Sequence, residues 1–190
     1  MNQQVKDILQ TLTLEEKIAL CNGADFWHSK AMPDKGIPAI TMSDGPHGVR
    51  YQADTGDMLG VNESKQATCF PTAVTSGATW DPDLLHAEGE AIGREGLSYG
   101  LDVVLGPGVN IKRNPLCGRN FEYFSEDPYL AGAMGTAWVQ GAQSTGIGTS
   151  LKHFAANNQE YKRFNGNSQL DERTLRELYL PAFETVVKKA

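Results

Sequence analysis

Three times along this chain a short run of apolar or small residues gives way to a polar loop and then to a helix opened by aspartate. That recurrence restricts the possible folds more than any other feature. Leu101 to Leu105 is a continuous apolar run, and after a long loop Asp127-Pro128 opens a stretch in which Leu130, Met134 and Trp138 recur every fourth residue until Gly146 stops it. The stretch "CFPTAVTSGATW" reads as a small-residue strand segment ahead of Asp81-Pro82, which opens a helix burying Leu84, Leu85, Ala91 and Ile92. "GIGTSLKHF" precedes Asp171, the cap of a helix that carries Leu175, Leu178 and Phe183 on one side and is bent or interrupted by Pro181. Aspartate suits these starts because its carboxylate accepts from backbone N–H groups that lack a partner in the first turn. Proline suits the next position because it has no N–H to leave unpaired.

Upstream, Ile37 to Met42 reads as a short strand ended by Asp44-Gly45-Pro46, and Thr13 to Glu16 has the form of a capping box that starts a short helix. Strands that alternate with helices imply a parallel sheet with right-handed crossovers, either an open doubly wound sheet or a closed (β/α)₈ barrel. A barrel needs about 250 residues, and about four strand–helix units fit here. The expected fold is therefore α/β, a partial TIM-like barrel of about the first half, with residues 1–190 forming the N-terminal portion of its domain.

Composition narrows the function. A formal charge of −6 without any basic run excludes a nucleic-acid binder, which needs a concentrated Lys/Arg face. No run of roughly 18 apolar residues spans a membrane, and "MNQQVKDILQ" lacks the basic start and apolar stretch of a secretory signal. Cys21, Cys69 and Cys117 lie far apart, with neither the even count of a disulfide framework nor zinc-site spacing. The chain reads as cytoplasmic. His28, His47 and His86 have no spacing that builds a metal site with one another, so no metal and no cofactor are expected.

The polar residues gather after the strands. The first strand is followed by "SDGPHGVR", the third by Lys112, Arg113, Asn114, Arg119, Asn120 and Glu122, and the fourth by Lys152 and His153. In parallel α/β folds, loops leaving the carboxyl ends of strands converge on one rim, which is where ligands bind. A carboxylate, a guanidinium, an ammonium and an imidazole sharing one cavity can grip adjacent hydroxyls: Asp44 accepts from O–H groups, while Arg119 and Lys152 donate to oxygens. Sugars present that pattern. Phosphate fits less well, because Asp44 would repel it and neither GxxxxGK[ST] nor GxGxxG occurs. Each residue also has an ordinary reading: Asp44-Gly45 is common turn chemistry, Arg119 could pin its loop, and His153 could be a satisfied rim imidazole. Arg50 and Arg113 read more readily as loop-pinning than Arg119 does. Trp27, Tyr51, Phe121, Tyr123 and Phe124 are either an aromatic wall for a sugar face or core residues.

"SDGPHGVR", "GPGVNIKRNPLCGRNFEYFSEDP" and "SLKHFAANNQE" closely resemble, in the same order, the family 3 glycoside hydrolases, the β-glucosidase group. The resemblance covers nearly the whole chain but only the early part of such an enzyme. It implies a (β/α)₈-like domain whose minus-one subsite holds a non-reducing glucose, with Asp44, Arg119, Lys152 and His153 as substrate-binding residues. It also implies that neither catalytic carboxylate lies in this chain: the nucleophile, an aspartate in an SDW-type segment, and the acid/base glutamate are expected downstream. Ala155-Ala156-Asn157-Asn158 stands where the N-acetylglucosamine subgroup of the family has a proline-glycine-histidine-glycine segment, which favours a glucosidase.

The function that follows is part of a retaining exo-acting β-glucosidase, its substrate a β-glucoside or oligosaccharide. The alternative is a non-catalytic sugar-binding or assembly fragment that needs a complementing chain. Half a barrel leaves strand edges unpaired, so self-association or pairing with the rest of the protein is expected.

Overall fold

A computed structural model describes residues 2–52 and 62–190. Among them three parallel strands, β1 (Met42–Asp44), β2 (Val103–Leu105) and β3 (Gly148–Thr149), form a sheet in sequence order. Met42 pairs with Val103 and Asp44 with Leu105, while Val103 pairs with Gly148 and Val104 with Thr149. In this register the carboxyl ends of all three strands lie along one edge.

The helices begin where the caps place them. Helix α1 (Gln3–Thr11) is followed by α2 (Leu14–Leu20), in which Glu16 N donates to Thr13 Oγ1 over 3.2 Å and Thr13 N donates to Glu16 Oε2 over 2.8 Å, closing the capping box. After α3 (Ala73–Gly77), Asp81 caps α4 (Pro82–Ser98) by accepting from Asp83 N and Leu84 N. Asp127 caps α5 (Pro128–Ser144) in the same way, through Tyr129 N and Leu130 N. Asp171 accepts from Thr174 N to start α6 (Glu172–Thr174), which runs through one wider π-helical turn (Leu175–Tyr179) into α7 (Pro181–Lys189). The expected interruption at Pro181 is thus a change of winding, which lets a residue without an N–H enter as the first residue of α7.

Two expectations are corrected. Residues 71–80 contain α3 and no strand. Their β-branched residues imitate a strand, but Ala73, Ser76 and Gly77 recur at helical spacing and are the buried side, and a Cβ on Gly77 would meet the Phe124 carbonyl oxygen at 2.6 Å. The first strand begins at Met42 rather than Ile37. Pro38 cannot donate, and Ile37 is turned back to bond Met32, so parallel pairing starts only where Asp102 N and Val103 N reach the Thr41 carbonyl.

Helices α4 and α5 cross backbone to backbone. A Cβ on Gly89 would lie 2.1 Å from the Trp138 carbonyl oxygen, and one on Gly141 would lie 2.0 Å from that of His86, so glycine is required at both positions. The core between sheet and helices contains Leu85, Ile92, Val104, Met134, Trp138 and Ile147, each at most 2% exposed. Full burial of such side chains stabilises by roughly 1.5–3 kcal/mol each. Ala91 and Leu130 are half-buried, whereas Leu84 and Leu178, expected inside, are exposed. They lie at the flanks of their apolar stripes, where periodicity alone does not set the depth of burial. Among the described residues no helix is long and apolar enough to cross a membrane, and no cluster of His, Cys, Asp and Glu has the arrangement of a metal site.

Candidate functional site

Asp44 is the last residue of β1, and its side chain is 41% exposed. The chain leaving β2 passes Gly108, which bridges to both Tyr123 and Lys152, so this loop and the segment after β3 are stitched together beside the end of β1. A single 3₁₀ turn, Asn120–Glu122, then sets Arg119 and Glu122 on one side of the loop. Asn110 holds the segment after β3 in place: its Nδ2 donates to the His153 carbonyl over 3.0 Å, and its Oδ1 accepts from His153 N over 2.7 Å.

The four residues singled out from the sequence join one network. Lys152 Nζ lies 3.9 Å from Asp44 Oδ1 and 3.6 Å from Glu122 Oε2. Arg119 pairs through Nε with Glu122 Oε1, approaches Glu160 Oε1 through Nη1 at 3.6 Å, and meets His153 Nε2 through Nη2 at 2.6 Å. The Asp44 carboxylate is therefore tied to Lys152, Lys152 to Glu122, and Glu122 to Arg119 and onward to His153. Arg50 also comes to this place, its Nη1 4.0 Å from Asp44 Oδ2. Arg113 does pin structure elsewhere, donating to the Tyr179 hydroxyl, while Asn114 and Asn120 bond within their own loop.

Glu122, which the sequence groups with the polar residues of its loop but not with the expected substrate-binding residues, is the anchor. Its side chain is only 5% exposed and it pairs with two cations, accepting a hydrogen bond from Arg119 Nε and lying 3.6 Å from Lys152 Nζ. Burial pushes its carboxyl upward, but Arg119 and Lys152 outweigh that and hold it below the usual carboxylate range, so it is ionised. The signal was present in its position three residues after Arg119. Tyr123, Asn157 and Glu160, none of them among the expected substrate-binding residues, also belong to this network. Tyr123 Oη lies 3.0 Å from His153 Nδ1, and Asn157 Nδ2 donates to both Tyr123 Oη at 3.3 Å and Glu160 Oε1 at 3.2 Å.

Burial, and then the neighbouring charges of Arg119 and Lys152, bring the His153 imidazole down to about 4. It is neutral at pH 7. His47 stands edge-on to Phe121, with ring centroids 6.2 Å apart, and is also lowered by burial. Of the aromatic residues, Trp27, Tyr123 and Phe124 are buried, Tyr51 is half-buried against Tyr99, and Phe121 is 51% exposed. The arrangement places an open carboxylate beside half-buried donors whose positions are fixed by Glu122. That geometry suits a neutral, multiply hydroxylated ligand.

Residues 22–190 match the model of the glycosyl hydrolase family 3 N terminal domain. Over 190 residues the chain is 51% identical to thermostable beta-glucosidase B of Acetivibrio thermocellus, covering 100% of this chain and 25% of that protein. It is 50% identical over 191 residues to an exo-alpha-(1->6)-L-arabinopyranosidase of Bifidobacterium longum, again covering 100% of this chain and 25% of the relative. Among solved structures, beta-glucosidase 3B from Thermotoga neapolitana in complex with glucose superposes with a TM-score of 0.89 at 42% identity, covering 98% of this chain and 28% of that one. The fold is thus that of the N-terminal part of the barrel in such enzymes, as the strand–helix alternation implied. The chain spans about a quarter of the length of these curated relatives.

Proposed function

Because the chain belongs to glycosyl hydrolase family 3, we propose that it is the sugar-holding part of a retaining, exo-acting β-glucosidase that removes terminal β-D-glucosyl units from oligosaccharides or aryl glucosides. Residues 1–190 supply the N-terminal portion of the barrel domain. Asp44, Arg119, Lys152 and His153 form the sugar subsite. The observation that carries this reading is the linkage of Asp44 at the end of β1 with Lys152 after β3, through a carboxylate–ammonium approach of 3.9 Å. A hydroxyl-rich ring placed there meets an acceptor and donors on adjacent oxygens, and charged partners strengthen such bonds about twofold over neutral ones.

Hydrolysis with retention needs two carboxyl groups about 5–5.5 Å apart, one ionised as nucleophile and one protonated as acid. Glu122 cannot serve as the acid, since Arg119 and Lys152 keep it ionised. Asp44 as a hydroxyl acceptor is committed to binding. As the resemblance to the family implies, nucleophile and acid/base belong to the remainder of the protein, which pairs with this part to complete the barrel.

The identity to the arabinopyranosidase is nearly that to the β-glucosidase, so two sugars must be compared. The test is hydrolysis of an aryl β-D-glucoside and an aryl α-L-arabinopyranoside by the protein expressed from its whole reading frame, alongside residues 1–190 alone. Turnover of the glucoside by the whole protein and none by residues 1–190 is expected. Turnover by residues 1–190 would place the nucleophile within them, and preference for the arabinopyranoside would replace glucose as the substrate.

A further inference from the structure

Among the described residues two carboxylates are buried, Glu122 and Glu88, and they are held differently. Glu122 has two cations beside it. Glu88, on α4, has none: it is met by one neutral donor, Ser76 Oγ of α3, which donates to Oε2 over 2.9 Å. Oε1 accepts no hydrogen bond among these residues and is not sealed off by its neighbours. Glu88 and Ser76 form the polar floor of a cavity of about 310 Å³ between α3 and α4, walled by Phe70, Pro71, Leu84 and Ala87. Ligand pockets begin at roughly that size, about 300 Å³. Thr75 and Thr79 also line the cavity, but Thr79 Oγ1 donates to the Ser76 carbonyl over 2.6 Å and Thr75 Oγ1 faces Thr72 Oγ1 at 3.4 Å, so neither serves the carboxylate.

We propose that this cavity binds a small organic ammonium ion, a primary amine on a single apolar ring, whose charged head reaches Glu88 Oε1 while the ring lies against Phe70, Pro71 and Leu84. Charge and shape both select that class. A hydroxyl ligand adds only a second neutral donor of the kind Ser76 already supplies, whereas an ammonium pairs with the anion through charge-assisted bonds roughly twice as strong. A second anion would set like charge against Glu88 beside apolar walls, where it is poorly solvated. The walls carry no charge of their own, so the body of the ligand is apolar. Burial raises the Glu88 carboxyl and Ser76 only works against the rise, as for an anion short of partners. The inference does not depend on the sugar-binding reading, because none of Asp44, Arg119, Lys152 and His153 lines this cavity. A ligand bound here also bridges α3 and α4, and binding to the folded state alone stabilises it.

The experiment titrates the whole protein with benzylamine and with benzyl alcohol, its neutral counterpart of the same shape, at pH 8. Ligand-observed NMR gives the affinities, and the melting temperature gives an independent reading. Benzylamine is expected to bind the wild type and Asp44→Ala alike, to raise the melting temperature of both, and to bind at least about tenfold more tightly than benzyl alcohol. Glu88→Gln should erase that preference while keeping an acceptor for Ser76, so the change cannot be laid to misfolding. Ala87→Phe, which adds a ring at the exposed mouth, should lose the amine with Glu88 intact. Equal affinity for amine and alcohol would overturn the inference, as would binding unaltered in Glu88→Gln or Ala87→Phe. Loss of binding in Asp44→Ala would place the amine at the strand ends instead. Absence of saturable binding would show that the cavity is closed by the remainder of the protein or takes no amine, and either result overturns the proposal.

Discussion

The ammonium of Lys152 stands between two carboxylates, 3.9 Å from Asp44 and 3.6 Å from Glu122, although the three residues come from three separate segments of the chain. One of these carboxylates is buried and committed to its cations. The other remains open: Glu122 anchors the cations, and Asp44 is the carboxylate that the proposed function assigns to the ligand.

Removing the open carboxylate should therefore affect catalysis before stability. Asp44→Ala in the whole enzyme is expected to lower kcat/KM at least about a hundredfold, around 2.7 kcal/mol, because hydroxyl contacts strengthen as the sugar ring flattens toward the transition state. Steady-state kinetics on an aryl β-glucoside check this, and a near-wild-type value would remove Asp44 from the subsite.

Removing the buried carboxylate should do both kinds of damage. Glu122→Gln leaves Arg119 and Lys152 without the anion that offsets their burial, a loss of about 3 kcal/mol for breaking a pair by deleting one partner. The midpoint of urea unfolding should fall accordingly, and substrate binding should weaken with it.

His153 makes stability depend on pH with a definite sign. In the unfolded chain its imidazole titrates near 6.5, but in the fold it does so at about 4, lowered by burial and then by Arg119 and Lys152, with Glu122 acting against them. Between these values the unfolded state binds more protons, so stability rises with pH and is lost as the solution is acidified from about 6.5 to about 4. His47, also lowered, adds a contribution of the same sign. Melting temperatures measured at half-unit steps should fall more steeply on acidification in the wild type than in His153→Gln.

Glu88 runs the other way. Burial between α3 and α4 raises its carboxyl, while Ser76 Oγ donates to it over 2.9 Å. The folded state then holds a proton that the unfolded state releases above about 4.5, so this group's contribution declines as pH rises through that window. Glu88→Gln keeps an acceptor for Ser76 and removes the charge. Its melting temperature should exceed that of the wild type at pH 7.5, with the gap closing toward pH 4.

Much of the fold was legible because its signals are local. Asp81, Asp127 and Asp171 each accept from N–H groups two or three residues ahead, so caps can be read without knowing what the helix touches. The segment around Ala73 was misread for the opposite reason. Its β-branched residues carry a strand preference, and only the close approach to Phe124 tips the choice to helix. The sugar-type cluster could be collected from the sequence because parallel strands send their outgoing loops to one side. The partners inside the cluster could not. Glu122 looks like any loop carboxylate until burial shows it to be the anion that holds two cations.

By itself the sequence determined which residues carry hydrogen-bonding chemistry, in which order they follow the strands, and where the helices begin, since all three depend on neighbours along the chain. Only the tertiary structure decided that Asp44 stays open while Glu122 is sealed in, and that His153 lies between Arg119 and Tyr123. Those outcomes depend on burial and on atoms some 30 or more positions apart, where the energy of a charge or a proton is set by what surrounds it in space.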